Sequence, residues 1–139
     1  TFFMENFLSP WFKPGIDAGK LNMAIKAETK LQMIAVGDIG KYGRLAFERH
    51  KEWNGRAPDI AGDSKTMPET AAIISQAAGR KVEFVPVLIE EVRKGSADYA
   101  MMLEWFDRAG FDVDIPAMAK ESGIKPTTLT EWAGEADWK

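Results

Sequence analysis

The segment that most constrains the fold is Lys30–His50, KLQMIAVGDIGKYGRLAFERH. If its first part is a strand over residues 31–36, apolar side chains point to both faces, and Gln32 is the single polar residue. A strand that is apolar on both faces is typical of a parallel sheet covered on both sides. The segment therefore predicts a buried strand that belongs to an α/β fold.

A helix is predicted directly after this strand, over residues 38–50. Gly37 and Asp38 form the predicted turn, and Asp38 is a favourable helix N-cap residue. Apolar residues then recur at helical spacing, namely Ile39, Tyr42, Ala46 and Phe47. A strand, turn and helix in this order form the repeating unit of α/β proteins.

The glycines of the same segment resemble a dinucleotide-binding fingerprint. Gly37, Gly40 and Gly43 spell G-x-x-G-x-x-G between a predicted strand and a predicted helix. A carboxylate at Asp38, however, would occupy the helix N-terminus where a pyrophosphate has to bind, and would repel it. We therefore interpret the glycines as packing positions and predict that this chain alone binds no dinucleotide.

The remaining elements follow from turn and capping signals. Thr66 and Glu69 have capping-box spacing and Gly79 is a natural helix stop, which predicts a helix over 67–78. A helix over 97–109 and strands over 57–61 and 81–87 are also expected, with a turn at residues 62–64. Short helices are expected near residues 88–93, from Asp114 to Gly123 and after Thr128, and a half-buried extended segment from Leu21 to Ile25.

Composition excludes several classes of function. The 139 residues suffice for one domain or part of one, and the net charge of −3 gives no electrostatic case for nucleic acid or an anionic membrane. No apolar run approaches the ~20 residues of a membrane span. The chain has no cysteine, which excludes thiolate metal sites and fits a cytoplasmic protein.

No catalytic residue can be assigned from the sequence. His50 is the single histidine and is placed at a helix C-terminus, where a positive charge is favoured without any catalytic role. Capping explains the acidic residues at predicted turns, and no nucleophile elbow, phosphate loop or zinc-binding helix is present. We therefore predict neither a metal site nor a self-sufficient active site.

Several segments, in order along the chain, resemble the C-terminal half of NmrA-like proteins, which are atypical relatives of the short-chain dehydrogenases. These segments are Phe2–Leu8 (FFMENFL), Lys30–Gly40 (KLQMIAVGDIG), Ile60–Glu69 (IAGDSKTMPE), Gly79–Val87, Trp105–Phe106, Gly110–Phe111, Val113–Asp114 and Glu131–Trp132. The resemblance implies a Rossmann-like NAD(P)-binding fold of short parallel strands with flanking helices. It further implies that residues 1–139 are the substrate-side portion, without the N-terminal dinucleotide-binding half.

The resemblance also implies a cofactor and a site. Members bind NADP or NAD, and the segment that lines the nicotinamide end of their cleft maps here to Phe3, Met4, Glu5 and Asn6. An aromatic ring can pack on the nicotinamide, and Asn6 offers both a donor and an acceptor to a carboxamide. The alternative is structural: the aromatic residues form core, and Glu5 and Asn6 start a helix.

The sequence is compatible with two classes of function. The resemblance implies either an oxidoreductase that acts on a small carbonyl or quinone-type substrate, or a redox sensor that contacts a regulatory protein; this chain alone is expected to be inactive. The alternative is a stand-alone protein-interaction module without nucleotide binding. A homodimer is also expected, through an N-terminal aromatic segment composed of Phe2, Phe3, Phe7, Trp11 and Phe12, unless that segment folds back onto the chain.

Overall fold

The computed structural model describes all residues, 1–139, as a mixed α/β fold of five short strands and eight helices. The strands are β1 (Phe2–Phe3), β2 (Lys20–Met23), β3 (Lys30–Ile34), β4 (Asp63–Thr66) and β5 (Glu83–Pro86). The helices are α1 (Lys13–Asp17), α2 (Val36–Glu48), α3 (His50–Trp53), α4 (Met67–Ala78), α5 (Ile89–Gly95), α6 (Ala97–Arg108), α7 (Ile115–Ser122) and α8 (Leu129–Glu135). A 3-10 helix, Met4–Leu8, follows β1 directly.

The strands form two small sheets. One has the order β1-β3-β4, in which β1 runs parallel to β3 and β4 runs antiparallel to it; the other pairs β2 with β5 in parallel. The apolar core includes side chains from both sheets and from α4, α6 and α8, for example Leu31, Leu21, Ile74, Leu103 and Leu129. The predicted α/β class with short parallel strands is confirmed.

The helix signals in the sequence are reproduced closely. Helix α4 covers the predicted residues, with the full capping box between Thr66 and Glu69 and with Gly79 in the left-handed conformation at φ 64°. A second complete capping box, between Thr128 and Glu131, starts α8. Asp114 caps α7, which ends before Gly123. These helix ends are encoded by residues three or four positions apart, so local sequence suffices to place them.

The predicted strand over 57–61 is wrong. Those residues form no regular structure, and the strand lies at Asp63–Thr66, where a turn was expected. This strand, DSKT, is polar throughout and has low intrinsic strand propensity. It is a strand because it pairs with β3, with Thr66 opposite Lys30 and Asp63 opposite Met33. Such a distant pairing leaves no local signal.

Helix α2 also differs from its prediction. It begins at Val36, with Ala35 as the N-cap residue, and ends at Glu48. Asp38 is therefore not the N-cap but lies inside the first turn, and the exposed His50 opens the separate short helix α3. Of the predicted apolar stripe, Tyr42 is buried, whereas Phe47 is 85 % exposed.

The N-terminal aromatic segment packs largely into the core of its own chain. Phe2 and Phe7 are buried, and their ring centroids lie 5.5 Å apart. Phe7 also contacts Phe12 and Trp132, with centroid distances of 5.8 and 6.3 Å. Only Phe3 and Trp11, 44 % and 91 % exposed, leave large apolar surfaces open. The segment therefore folds back onto the chain and presents no continuous aromatic face.

Candidate functional site

The candidate site lies where the carboxyl ends of β1 and β3 meet. The two strands are parallel, and Phe3 pairs with Ile34, so the chain leaves both strands at the same edge of the sheet. Ligands of open α/β sheets bind outside the carboxyl ends of the strands. The residues that follow the strands, Met4–Asn6 after β1 and Val36 after β3, therefore lie at the edge where a ligand of such a sheet binds.

Glu5 joins three parts of the chain at this edge. Its carboxylate accepts the backbone N–H of Val36, with N–O distances of 3.0 and 3.1 Å. It also accepts the indole N–H of Trp132 in α8, at 3.2 Å. Because Val36 is the first residue of α2, Glu5 provides a carboxylate at that helix N-terminus, where negative charge is favoured. We call Phe3, Glu5, Asn6, Val36 and Trp132 the strand-end cluster.

The four sequence-predicted residues have different environments. Phe3 is 44 % exposed and Asn6 is half-buried, so both retain surface that a ligand can reach. Met4 is completely buried in the hydrophobic core and supports the segment from within. Glu5 already has its hydrogen bonds to Val36 and Trp132. Phe3 and Asn6 are therefore the members of this segment that combine accessible surface with a side chain that makes no hydrogen bond.

Asp38, next to the strand-end cluster, links α2 to the segment before α8 by hydrogen bonds. One of its carboxylate oxygens accepts the backbone N–H of Thr127 at 2.6 Å, and the other accepts the Thr127 hydroxyl at 2.9 Å and the Lys41 ammonium at 2.7 Å. Burial of this side chain, 1 % exposed, acts to raise the pKa of the carboxyl. The hydrogen bonds from Lys41 and Thr127 outweigh that effect, and the pKa of Asp38 lies below its ordinary value.

Gly62, in the loop before β4, lies very close to the backbone of two other segments. The N–H of Gly62 donates to the carbonyl of Met33 at 2.7 Å. A Cβ atom at Gly62 would lie only 2.7 Å from the carbonyl oxygen of Thr127. The carboxylate of Asp63 then accepts the N–H of Leu129 at 2.9 Å. Residues 62–63 thus hold the start of α8 next to the end of β3.

Sequence reasoning missed Thr127, Gly62 and Trp132 as parts of this region. Trp132 donates to Glu5 across a separation of 127 residues, and Thr127 donates to Asp38 across 89. Thr127 stands one residue before the capping box of α8, but nothing in that motif identifies Asp38 as its partner. The predicted turn at residues 62–64 and the family-like segments Ile60–Glu69 and Glu131–Trp132 include Gly62 and Trp132, but none of these signals identifies the partners of those residues.

Two surface depressions lie away from the strand ends. One, of about 500 Å³, runs between the C-terminal half of α2 and the loop after α7, and its basic residues are Lys41, Arg44 and Lys125. Each of these cations has a carboxylate partner, respectively Asp38, Glu48 and Glu131, at 2.6–2.7 Å. A second depression, of about 660 Å³, lies between α4 and β5. The first therefore has no unpaired basic residue to bind an anion.

No group of three or more His, Cys, Asp or Glu side chains is arranged to hold a metal ion. None of the helices has the length and apolarity that crossing a bilayer requires.

The family model that describes the NmrA-like family matches residues 1–133, which is nearly the whole chain. The chain belongs to the NmrA-like family. No curated protein matches it. The family resemblance drawn from the sequence motifs is thereby confirmed.

Solved structures share the fold at low sequence identity. A nucleoside-diphosphate-sugar epimerase from Staphylococcus aureus superposes with a TM-score of 0.78 at 22 % identity, over 96 % of this chain and 50 % of its own. A triphenylmethane reductase from Citrobacter sp., complexed with NADP(H), superposes with a TM-score of 0.73 at 16 % identity. The match covers 98 % of this chain and 50 % of the reductase. An NADPH-dependent quinone oxidoreductase from Escherichia coli superposes with a TM-score of 0.67 at 19 % identity. The match covers 95 % of this chain and 51 % of the oxidoreductase.

This NmrA-like chain thus spans about half the length of the solved structures that it matches. Likeness at these identities establishes a common fold and no more.

Proposed function

We propose that this chain supplies the substrate side of an NAD(P)H-dependent reductase of a small carbonyl or quinone-type compound, with Phe3 and Asn6 beside the nicotinamide. The observation that carries the proposal is the placement of these two residues at the joint carboxyl ends of β1 and β3, with their surface partly free. Family membership and the named reductases among the solved structures support it. A cytoplasmic location is part of the proposal.

The strand-end cluster has the chemistry that a nicotinamide requires. The Phe3 ring offers an apolar surface on which a flat ring can stack. The Asn6 amide can accept from the carboxamide N–H and donate to its carbonyl. The hydrogen bonds of Glu5 to Val36 and Trp132 hold the 3-10 helix in place, so that Phe3 and Asn6 are positioned before a ligand arrives.

The dinucleotide phosphates are proposed to bind outside this chain. The N-terminus of α2, which follows the fingerprint-like strand and turn, already carries the Glu5 carboxylate on its first N–H. A pyrophosphate at the same place would meet that negative charge. The sequence predicts this role for Asp38, but the carboxylate on the first N–H of the helix is that of Glu5.

The alternative to a reductase is a redox sensor that contacts a regulatory protein. Such a sensor binds nicotinamide through the same residues but converts no substrate to product. Product formation from a quinone by the assembly that contains both halves separates it from a reductase. The stand-alone interaction module differs from both at the binding step, because it makes no contact with nicotinamide.

Nuclear magnetic resonance of the isotopically labelled chain tests the proposal. Reduced nicotinamide mononucleotide, added to millimolar concentration, should shift the amide signals of Phe3, Asn6 and Val36 and leave those of α4 unchanged. Calorimetry with NADPH at micromolar protein should give no saturable heat, because the phosphates lack a site. Shifts spread evenly over the surface, or none, would contradict the proposal and favour the interaction module.

A further inference from the structure

Three carboxylates lie at the edge of the sheet that carries the candidate site, and each belongs to a different strand. Glu5 follows β1 and Asp38 follows β3. Asp63 begins β4, which runs antiparallel to β3, so that Asp63 lies opposite Met33 near the same edge. Carboxylates that are partly removed from water need hydrogen-bond donors. All three accept hydrogen bonds from one short stretch, residues 127–132, which we call the docked segment.

The docked segment reaches the sheet through hydrogen bonds between residues that are distant in sequence. The pairs, with the donor first, are Thr127 with Asp38, Leu129 with Asp63, and Trp132 with Glu5, at 2.6, 2.9 and 3.2 Å. Residues 123–128 have no regular structure, so secondary structure alone does not fix the position of α8 relative to the sheet. The three carboxylates therefore help to place the start of α8 against the strand ends.

Packing fixes the ring of Trp132 within the docked segment. Trp132 is 9 % exposed, and its ring centroid lies 6.3 Å from that of Phe7 and 5.8 Å from that of Trp138. The indole N–H of the neighbouring Trp138 donates to the carbonyl oxygen of Ala133 at 2.8 Å, so this hydrogen bond stays within the C-terminal part of the chain. Of these two tryptophans, Trp132 is therefore the one that donates to the sheet edge.

Trp132 acts on the candidate site through one oxygen atom. Oε1 of Glu5 accepts both the indole N–H of Trp132 at 3.2 Å and the backbone N–H of Val36 at 3.0 Å. These two donors together set the orientation of the carboxylate, and Glu5 belongs to the same 3-10 helix as Asn6. We infer that the docked segment positions the nicotinamide site, with Trp132 as the positioning residue that acts on Phe3 and Asn6 through Glu5.

Nicotinamide binding and attachment of the docked segment are coupled in this arrangement. A ligand that requires Phe3 and Asn6 in place favours the state in which Trp132 holds Glu5. Coupling between two binding equilibria is reciprocal, so a docked segment that loses its hydrogen bond to Glu5 should leave a site of lower affinity. The effect on nicotinamide rests on the proposed function, whereas the effect on the position of Glu5 does not.

Two tryptophan variants separate positioning from packing. Trp132→Phe keeps an aromatic ring but removes the donor to Glu5. Trp138→Phe is the matched control, because it removes a similarly buried indole whose N–H donates to Ala133 instead. Titration with reduced nicotinamide mononucleotide should show binding about 3–10-fold weaker in Trp132→Phe than in the parent chain, and unchanged in Trp138→Phe. Equal affinities of the two variants, whether weakened or not, would overturn the role of Trp132.

A second comparison tests whether Trp132 acts through Glu5. In a Glu5→Ala background the acceptor is already absent, so adding Trp132→Phe should cause no further loss of affinity for reduced nicotinamide mononucleotide. Such non-additivity is expected of two residues that act as one unit, and not of two independent losses of stability. A further loss as large as that of Trp132→Phe alone would overturn the route through Glu5.

Hydrogen exchange without ligand distinguishes a failure of this inference from a failure of the proposed function. The Val36 amide donates to Glu5, so Trp132→Phe should raise its exchange rate at least ~3-fold relative to the amides of α4, and Trp138→Phe should not. If this difference is present but the parent chain binds no mononucleotide, the proposed function fails and the positioning role of Trp132 stands. Equal Val36 exchange rates in the parent and Trp132→Phe would overturn the positioning role even if the mononucleotide binds.

Discussion

The carboxylate of Glu5 caps the backbone N–H of Val36 at 3.0 Å, although the two residues are 31 positions apart. This hydrogen bond joins the end of β1 to the start of α2 and places Phe3 and Asn6 at the edge where both parallel strands end. The candidate site therefore depends on one side chain that also serves as the cap of a helix.

Replacing Glu5 should cost the fold more than replacing an exposed glutamate. Glu5→Ala removes the cap of α2 and leaves the indole N–H of Trp132 without its acceptor, so we expect a loss of about 1–3 kcal/mol in unfolding free energy. Glu5→Gln keeps an acceptor and should lose less. Glu28→Ala, at an exposed position, is the control and should stay within ~0.5 kcal/mol of the parent. Urea unfolding measures all three, and equal stability of Glu5→Ala and Glu28→Ala would contradict the capping role.

Asp38 should stabilise the fold in a pH-dependent way. Asp38→Asn replaces an acceptor by an amide that cannot serve the two Thr127 donors and Lys41, at a cost of about 2–3 kcal/mol near pH 7. The pKa of Asp38 is depressed in the folded state, so its contribution is complete above the unfolded pKa of ~3.9 and is lost as the pH falls through the lower folded pKa. The difference in stability between parent and Asp38→Asn should thus be constant from neutral pH to about pH 5 and shrink below about pH 4. A difference that instead grew on acidification would refute this account.

Gly62 should tolerate no side chain. The Cβ of Gly62→Ala would lie 2.7 Å from the Thr127 carbonyl oxygen and would push away the segment that carries Asp38's donors. We expect a loss of about 1–3 kcal/mol. Gly134→Ala is the matched control, because its Cβ meets nothing in helix α8 and should stabilise by up to ~1 kcal/mol. Thermal unfolding of both variants measures the contrast, and a neutral Gly62→Ala would mean that this loop is free to move.

The N-terminal aromatic residues should divide into core and surface. Phe7→Ala should cost about 3–5 kcal/mol, because Phe7 is fully buried against Phe2, Phe12 and Trp132. Trp11→Ala, at a residue 91 % exposed, should change stability by less than ~0.5 kcal/mol. Chemical denaturation compares the two directly, and similar costs at both positions would contradict the packing described here.

The sequence predicts those parts of the fold whose cause is local. Thr66 with Glu69 and Thr128 with Glu131 set their helix starts through partners three residues away. The start of α2 was misplaced by two residues because its cap, Glu5, comes from another segment. Strand β4 was missed because only its pairing with β3 makes a strand of a polar stretch.

In the candidate site as well, the sequence identifies residues of a local motif but not the contacts between distant segments. The family motif identified Phe3, Glu5 and Asn6, but the roles of Trp132 and Thr127 depend on contacts across 127 and 89 residues. Met4 belongs to the motif by position, and only its complete burial shows that it supports the core.

The placement of Asn6 beside a nicotinamide is the central claim, and a comparison of two asparagine variants tests it most directly. Reduced nicotinamide mononucleotide is titrated into the parent chain, Asn6→Ala and Asn54→Ala, the last being an exposed asparagine in the loop after α3. Loss of one ligand hydrogen bond should weaken binding of Asn6→Ala by about 3–10-fold, while Asn54→Ala binds as the parent does. Equal affinities of all three proteins would contradict the claim.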